Sequence, residues 1–141
     1  FPLNIAIAPQ VSYQYLNNDF PVEQPSLLYG INLASQINKD VLISKELGAD
    51  CVEIHTGKFA NLVKSKKNSE KEFLRIKKSS KLANKIGIEV HAGHGLDYKS
   101  ALLLSKINEI SEFNIGHFII GESIFISLSN VIKKFKRIIK N

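Results

Sequence analysis

The chain has 141 residues, one cysteine and no methionine. A single thiol, Cys51, cannot close a disulfide within the chain, so the expected setting is reducing and cytoplasmic. Cys51 lies inside an apolar strand pattern, where a thiol is expected to be buried and inert. Long hydrophobic runs are missing too. No stretch approaches the roughly 18 apolar residues that a membrane span needs, and no basic-then-apolar leader of the secretory kind opens the sequence. The first residue is Phe1, and the lack of any methionine reads as a piece of a longer protein.

What is present is ordinary for a soluble globular domain: 44% hydrophobic and 23% charged residues, in a chain long enough to bury a core. The net charge is +6. Positive residues gather between Lys64 and Lys85 and between Lys133 and Lys140, on helical patterns and away from the apolar stripes. Such runs are expected to be solvated helix faces. No nucleic-acid-binding module accompanies them, so no nucleic-acid partner is expected. A mild positive field does attract phosphorylated small molecules.

Taken in order, Leu3 to Ala8 and Ser26 to Ile31 are strand candidates, with a loop over residues 9–25 between them. Ser35 to Leu47 has helical spacing, and Gly48 is a plausible stop. Cys51 to Ile54 is a strand, and Lys58 to Lys67 reads as a polar loop. Ser69-x-x-Glu72 has the form of a capping box opening a helix that Gly87 ends. Ile88 to Val90 is a strand. Asp97 can cap a helix through Ala101, Leu104 and Ile107, and Phe113 to Ile115 is a strand. Leu128, Val131, Ile132, Phe135, Ile138 and Ile139 mark one face of a closing amphipathic helix.

The second half alternates strand and helix, which implies parallel strands with helices outside. Short apolar strands with polar ends fit a partial α/β fold of the (β/α)8 TIM-barrel type, with working residues at the C-terminal strand ends. A doubly wound open sheet is the alternative. A full barrel takes about 250 residues, so this chain supplies about half of one as a single domain over residues 1–141.

Three strand ends carry the candidate chemistry: Glu53-Ile54-His55-Thr56-Gly57, His91-Ala92-Gly93-His94-Gly95 and Asn114-Ile115-Gly116-His117. Side chains alternate along a strand, so Cys51, Glu53 and His55 share the face opposite Val52 and Ile54. An inward carboxylate at Glu53 needs a partner or has a task, stabilising charge or moving protons. His94, between two glycines, is a candidate proton donor or acceptor. Gly95 can offer its N–H to a phosphate, and barrels often hold phosphate in the loops after their last two strands, here around Gly95, Gly116 and His117. His55 and His91 are weaker candidates, and a hydrogen-bonded core histidine is the expectation for His91. Metal binding by the histidines with Glu53 is a further reading. No metal is assigned, since the glycines suggest phosphate and no His-x-His pair occurs.

Residues 48–57 (GADCVEIHTG), 87–96 with their Ala-Gly-His-Gly-Leu core, and 112–121 (EFNIGHFIIG) together resemble the pyridoxine 5'-phosphate synthase family. The similarity runs from about Ser26 to the C-terminus and would cover that family's last four strands. It implies a homo-oligomeric (β/α)8 barrel without a cofactor. The barrel condenses 1-deoxy-D-xylulose 5-phosphate with 3-amino-2-oxopropyl phosphate to pyridoxine 5'-phosphate, phosphate and water. The family's proton-donating histidine falls on His94 and its charge-stabilising strand glutamate on Glu53. Its phosphate contacts fall on Gly95, Gly116 and His117. Ala6 stands where the family's third strand carries a catalytic glutamate, the loop over 9–25 replaces a strand-helix unit, and Glu122 replaces a usual basic residue. The family's first two strands have no counterpart. A phosphate-binding or assembly subunit without turnover, and a metal-dependent barrel enzyme, are the competing readings.

Overall fold

The computed structural model describes residues 34–139. The strands expected at Leu3–Ala8 and Ser26–Ile31, the loop between them and Ala6 lie outside the described residues. The described elements are α1 (Ala34–Glu46), β1 (Cys51–His55), α2 (Gly57–Lys64), α3 (Glu70–Lys85), β2 (Glu89–Gly93), α4 (Tyr98–Leu104), β3 (Glu112–Asn114), α5 (His117–Ile126) and α6 (Leu128–Ile139).

The strands form one parallel sheet in the order β1-β2-β3. The register pairs Glu53 with His91 and His55 with Gly93, then His91 with Glu112 and Gly93 with Asn114. Paired residues of a parallel sheet point to the same face. One face therefore carries Val52, Ile54, Val90, Ala92 and Phe113, and these pack into the core. The opposite face carries Cys51, Glu53, His55, Glu89, His91, Gly93, Glu112 and Asn114.

The helices cover the apolar face. Phe59, Ala60 and Val63 of α2, Ile76 and Ala83 of α3, Ala101 and Leu104 of α4, and Val131 and Phe135 of α6 are all buried. Tyr98 and Phe118 meet edge to face at 4.9 Å, and Tyr98 lies 4.6 Å from Phe135 between ring centroids. The Lys134 ammonium sits over the Tyr98 ring at 3.8 Å. The rest of the lysine-rich surface on α3 and α6 is largely exposed, as expected of solvated helix faces.

Two helices stop in the same way, each just before a strand. Gly48 and Gly87 have φ of +83° and +75°. After α1, Gly48 donates to the Lys45 carbonyl and Ala49 to that of Ser44; after α3, Gly87 donates to Asn84 and Ile88 to Ala83. This is the paired 5→2 and 6→1 closure of a Schellman turn, which needs a left-handed residue that glycine adopts without strain.

Three expectations are corrected. Residues 58–67 are not a loop throughout, because Gly57–Lys64 is α2. Its polar residues face out, while Phe59, Ala60 and Val63 make a short buried stripe at helical spacing. The Ser69/Glu72 capping box does not form. The Ser69 side chain makes no cap bond, and Glu72 is buried against Arg75 and Lys58 instead. Cys51 is exposed rather than buried, because it lies on the sheet face away from the helices. Its thiol is nevertheless pushed up, by partial burial of the sulfur first and then by the charges of Glu89, Asp50, Glu112 and Glu53, so it remains a poor nucleophile. In addition, α5 occupies a segment for which no element was expected, and α4 ends at Leu104, short of Ile107.

A working capping box is found at α4. Ser100 N donates to Asp97 Oδ1 at 2.7 Å, and Asp97 N donates to Ser100 Oγ at 2.9 Å. Losing such a cap costs about 1 kcal/mol. Asp97→Ala is therefore expected to lower stability by about that amount in urea unfolding, while Ser69→Ala leaves it nearly unchanged. Equal losses would mean that Ser69 does cap α3.

Candidate active site

The register brings three strand ends to one edge. Gly93 pairs with Asn114, so Gly95 and Gly116 each lie two residues past a matched pair, at the same C-terminal edge of the sheet. Glu53, His94, Gly95, Gly116 and His117 thus belong to one face and edge of the sheet. His94, Gly95 and His117 are exposed there.

Glu53 leaves β1, passes over β2 and accepts a hydrogen bond from Asn114 Nδ2 on β3. It crosses at Gly93. A Cβ on Gly93 would come within 2.7 Å of Glu53 Cδ and 3.1 Å of Asn114 Cβ, so only glycine leaves the passage open.

His94 has φ of +78°, a left-handed conformation that costs a residue with a side chain about 1 kcal/mol or more. Thr56, fully buried, holds it there. Its hydroxyl donates to the carbonyls of Gly93 at 2.7 Å and His94 at 2.9 Å, and its N–H donates to Gly93 at 2.8 Å. The His94 ring stacks on His55, with centroids 4.2 Å apart and planes tilted by 31°. A Cβ on Gly57 would lie 2.6 Å from His94 Cδ2 and 2.8 Å from His55 Cε1; the pair stacks where Gly57 has no side chain. Both rings open on a cleft of about 400 Å³, whose lining includes Lys58, Asn61 and Lys67.

His55 is anchored from behind. Arg75 Nη2 donates to the His55 carbonyl at 2.9 Å, while Arg75 Nε donates to Glu72 at 2.7 Å. Lys58 closes the network on the other Glu72 oxygen at 2.9 Å. Burial alone would raise the Glu72 carboxyl, but its bonds to Lys58 and Arg75 outweigh that and hold it below its ordinary value. Burial lowers His55, and the nearby charges of His94 and Arg75 lower it further.

His91 sits mid-sheet, 3.6 Å from Glu89 and 3.9 Å from Glu112. It is largely buried, but its Nε2 has no hydrogen-bond partner, in contrast to the hydrogen-bonded core histidine expected. Among the described residues, no group of three or more His, Cys, Asp or Glu side chains is placed to hold a metal.

The two helix starts at this edge differ. The first turn of α4 is already answered by Asp97 and Ser100. The first turn of α5 begins at Gly116 with no side-chain cap, so its N–H groups and dipole are open to an anion.

A family model for the pyridoxal phosphate biosynthesis protein PdxJ matches residues 32–141. The chain belongs to the PdxJ family. It is 62% identical over 100 residues to a pyridoxine 5'-phosphate synthase of Pelagibacter ubique, covering 71% of this chain and 42% of the relative. It is 46% identical over 121 residues to the synthase of a Sulfurihydrogenibium species, covering 84% and 49%. With that of Zymomonas mobilis it shares 41% over 119 residues, covering 82% and 46%. The chain thus spans about half the length of the curated relatives it matches. The matched PdxJ region contains β1, β2, β3 and all the site residues described above.

Asn114, Thr56 and Arg75 were not singled out by sequence reasoning. Asn114 has the strand parity of Glu112 and lies in the third motif, but its contact with Glu53 depends on register. Thr56 and Arg75 act through backbone carbonyls, which leave no mark on sequence.

Two outcomes follow for this PdxJ chain. Thr56→Val leaves the buried Gly93 carbonyl and the part-buried His94 carbonyl with one donor fewer, an expected loss of about 1–3 kcal/mol in urea unfolding; no loss would show that the hydroxyl does not pin the His94 turn. His55 takes up a proton near 6.5 when unfolded and at lower pH when folded. The folded state then binds fewer protons than the unfolded one just below 6.5, so stability falls as pH drops through that value. The His55→Gln variant is expected to show a shallower fall of melting temperature with acid, and an unchanged slope would contradict the shift.

Proposed function

We propose that this chain is part of a pyridoxine 5'-phosphate synthase, condensing 1-deoxy-D-xylulose 5-phosphate with 3-amino-2-oxopropyl phosphate to pyridoxine 5'-phosphate, phosphate and water. The observation that carries this reading is the single edge where a carboxylate, an exposed histidine and an uncapped helix start converge, in a chain of the PdxJ family.

In this reading residues 1–141 are one partial (β/α)8 domain, about the C-terminal half of a barrel, with residues 9–25 as a loop in place of a strand-helix unit. The three-stranded parallel sheet with helices on its apolar face supports it. His94 gives and takes the protons of imine formation, dehydration and ring closure. The left-handed turn holds its ring outward. Glu53 faces the cationic intermediates as a fixed negative group. Gly95, Gly116 and His117 bind a substrate phosphate, with the α5 N-terminus as the anion site. Groups of the family's first strands would come from further polypeptide, in the same chain or in a partner copy. Among the described residues β1 and β3 are the outer strands of the sheet, and open strand edges favour association, so a homo-oligomer is proposed. A cytoplasmic placement belongs to the same reading; no described helix is long and apolar enough to cross a membrane.

A second reading rests on Ala6, which stands where the resemblance puts a catalytic glutamate: a phosphate-binding subunit without turnover. One assay separates the two. The purified chain, alone and mixed with the N-terminal part of the Pelagibacter ubique relative, is incubated with both substrates, and pyridoxine 5'-phosphate is quantified. Product is expected in the mixture, with His94→Ala slowing it about 10²–10⁴-fold. Substrate binding without product in both preparations would favour the second reading.

A further inference from the structure

We propose that Asn114 is a positioning residue for Glu53, and that Gly93 is the gap through which it acts. The proposal rests on the reading of Glu53 as the carboxylate that stabilises positive charge on the substrate. Glu53 belongs to β1 and Asn114 to β3, with β2 between them. Adjacent strands lie about 4.8 Å apart, so this bond spans two strand spacings. A glutamate can make that crossing only where the middle strand presents no side chain, which is what Gly93 provides.

The bond fixes the carboxylate. Without it, the Glu53 side chain is free to turn about three torsions on an open sheet face. With it, Oε2 is tied to Asn114, and the other oxygen lies over Gly93, towards the strand ends. An asparagine suits the task. It donates to the carboxylate but brings no charge of its own, so the negative charge stays available to a cationic intermediate. A lysine or arginine at 114 would neutralise it. The same amide leaves Oδ1 buried without a partner. That orphan acceptor is a cost, and such exceptions call for a reason beyond packing. The bond to Glu53 supplies one.

The test uses the active mixture described above and four variants: Asn114→Ala, Asn114→Asp, Glu53→Gln, and the Glu53→Gln/Asn114→Ala double. Circular dichroism and melting temperature check folding. Asn114→Ala is expected to lower kcat about 10- to 100-fold with KM little changed, the signature of a misplaced catalytic group. Asn114→Asp has the same shape but repels Glu53 and is expected to be worse. A role in packing alone would tolerate it. The double variant is expected to be no slower than Glu53→Gln by itself, because Asn114 acts through Glu53. An unchanged kcat in Asn114→Ala, or effects that multiply in the double variant, would overturn the proposal while leaving Glu53 in its role. If Glu53→Gln alone has no effect, the role of Glu53 falls and this proposal with it. Where an Asn114 variant fails to fold, Gly93→Ala replaces it, since its Cβ drives the Glu53 carboxyl away and is expected to give the same loss of kcat. A folded Gly93→Ala variant at full rate would equally overturn the proposal. Independently of activity, the Asn114 side-chain amide in the ¹⁵N-labelled chain is expected to exchange slowly and to lose that protection in Glu53→Ala. Fast exchange in the unsubstituted chain would also overturn the proposal.

Discussion

Glu53 pairs with His91, His55 with Gly93, and Gly93 with Asn114 across three parallel strands, and the site depends on that register. A slip of one residue in β2 would turn His91 and Gly93 to the helix side and bring Ala92 to the open face. The path of Glu53 to Asn114 would close, because the Ala92 methyl or the His94 side chain would sit where the carboxylate now crosses Gly93. The register is held by burial. Ile54, Val90, Ala92 and Phe113 all face the helices and are nearly inaccessible to water, so a slip would expose them, at about 25 cal/mol for each Å² of apolar surface.

On this frame the site is built by removing side chains as much as by adding them. Gly93 lets Glu53 through, and Gly57 leaves room for the stacked rings of His55 and His94. The strained turn at His94 is kept by hydrogen bonds from a buried threonine on the neighbouring strand end. Arg75 does the same for the end of β1, holding its carbonyl from α3. The ends of β1 and β2 are therefore each fixed by a group from another element, so the geometry of the edge there is a property of the packed domain.

Charge is partitioned by face. The lysines of α3 and α6 lie mostly in solvent, whereas the acidic groups Glu53, Glu89 and Glu112 share the open sheet face with His91. Lys58 is the cation that links the two regions, since it pairs with buried Glu72 and also lines the cleft beside His94. The open N-terminus of α5 adds a fixed positive end beside Gly116. Negative charge is thus gathered over the open sheet face, and the positive end of a helix lies at the strand ends.

Much of the frame was legible in the sequence. The positions of β1, β2 and β3, the helices α1, α3 and α6, the glycine stops and the Asp97 cap follow from local rules: apolar periodicity, a left-handed residue after a helix, and a short polar side chain before one. The family was legible as well, because three motifs in order carry backbone and side-chain requirements that few sequences meet together. Local rules failed where a polar group had a distant partner. Ser69 and Glu72 had capping-box spacing, yet Glu72 gains more from Arg75 and Lys58 in a buried site than from a free N–H at a helix start. Residues 58–67 looked polar because their three buried positions, Phe59, Ala60 and Val63, are too few to stand out. The Cys51 side chain was misplaced because a strand's two faces look alike until something packs against one of them. The sequence by itself determined the three strands of the sheet, the helices other than α2 and α5, and which family they belong to. Only the tertiary structure decided that Glu53 meets Asn114 over Gly93 and that Thr56 pins His94, because a contact across strands depends on register, which is set by burial of the whole sheet.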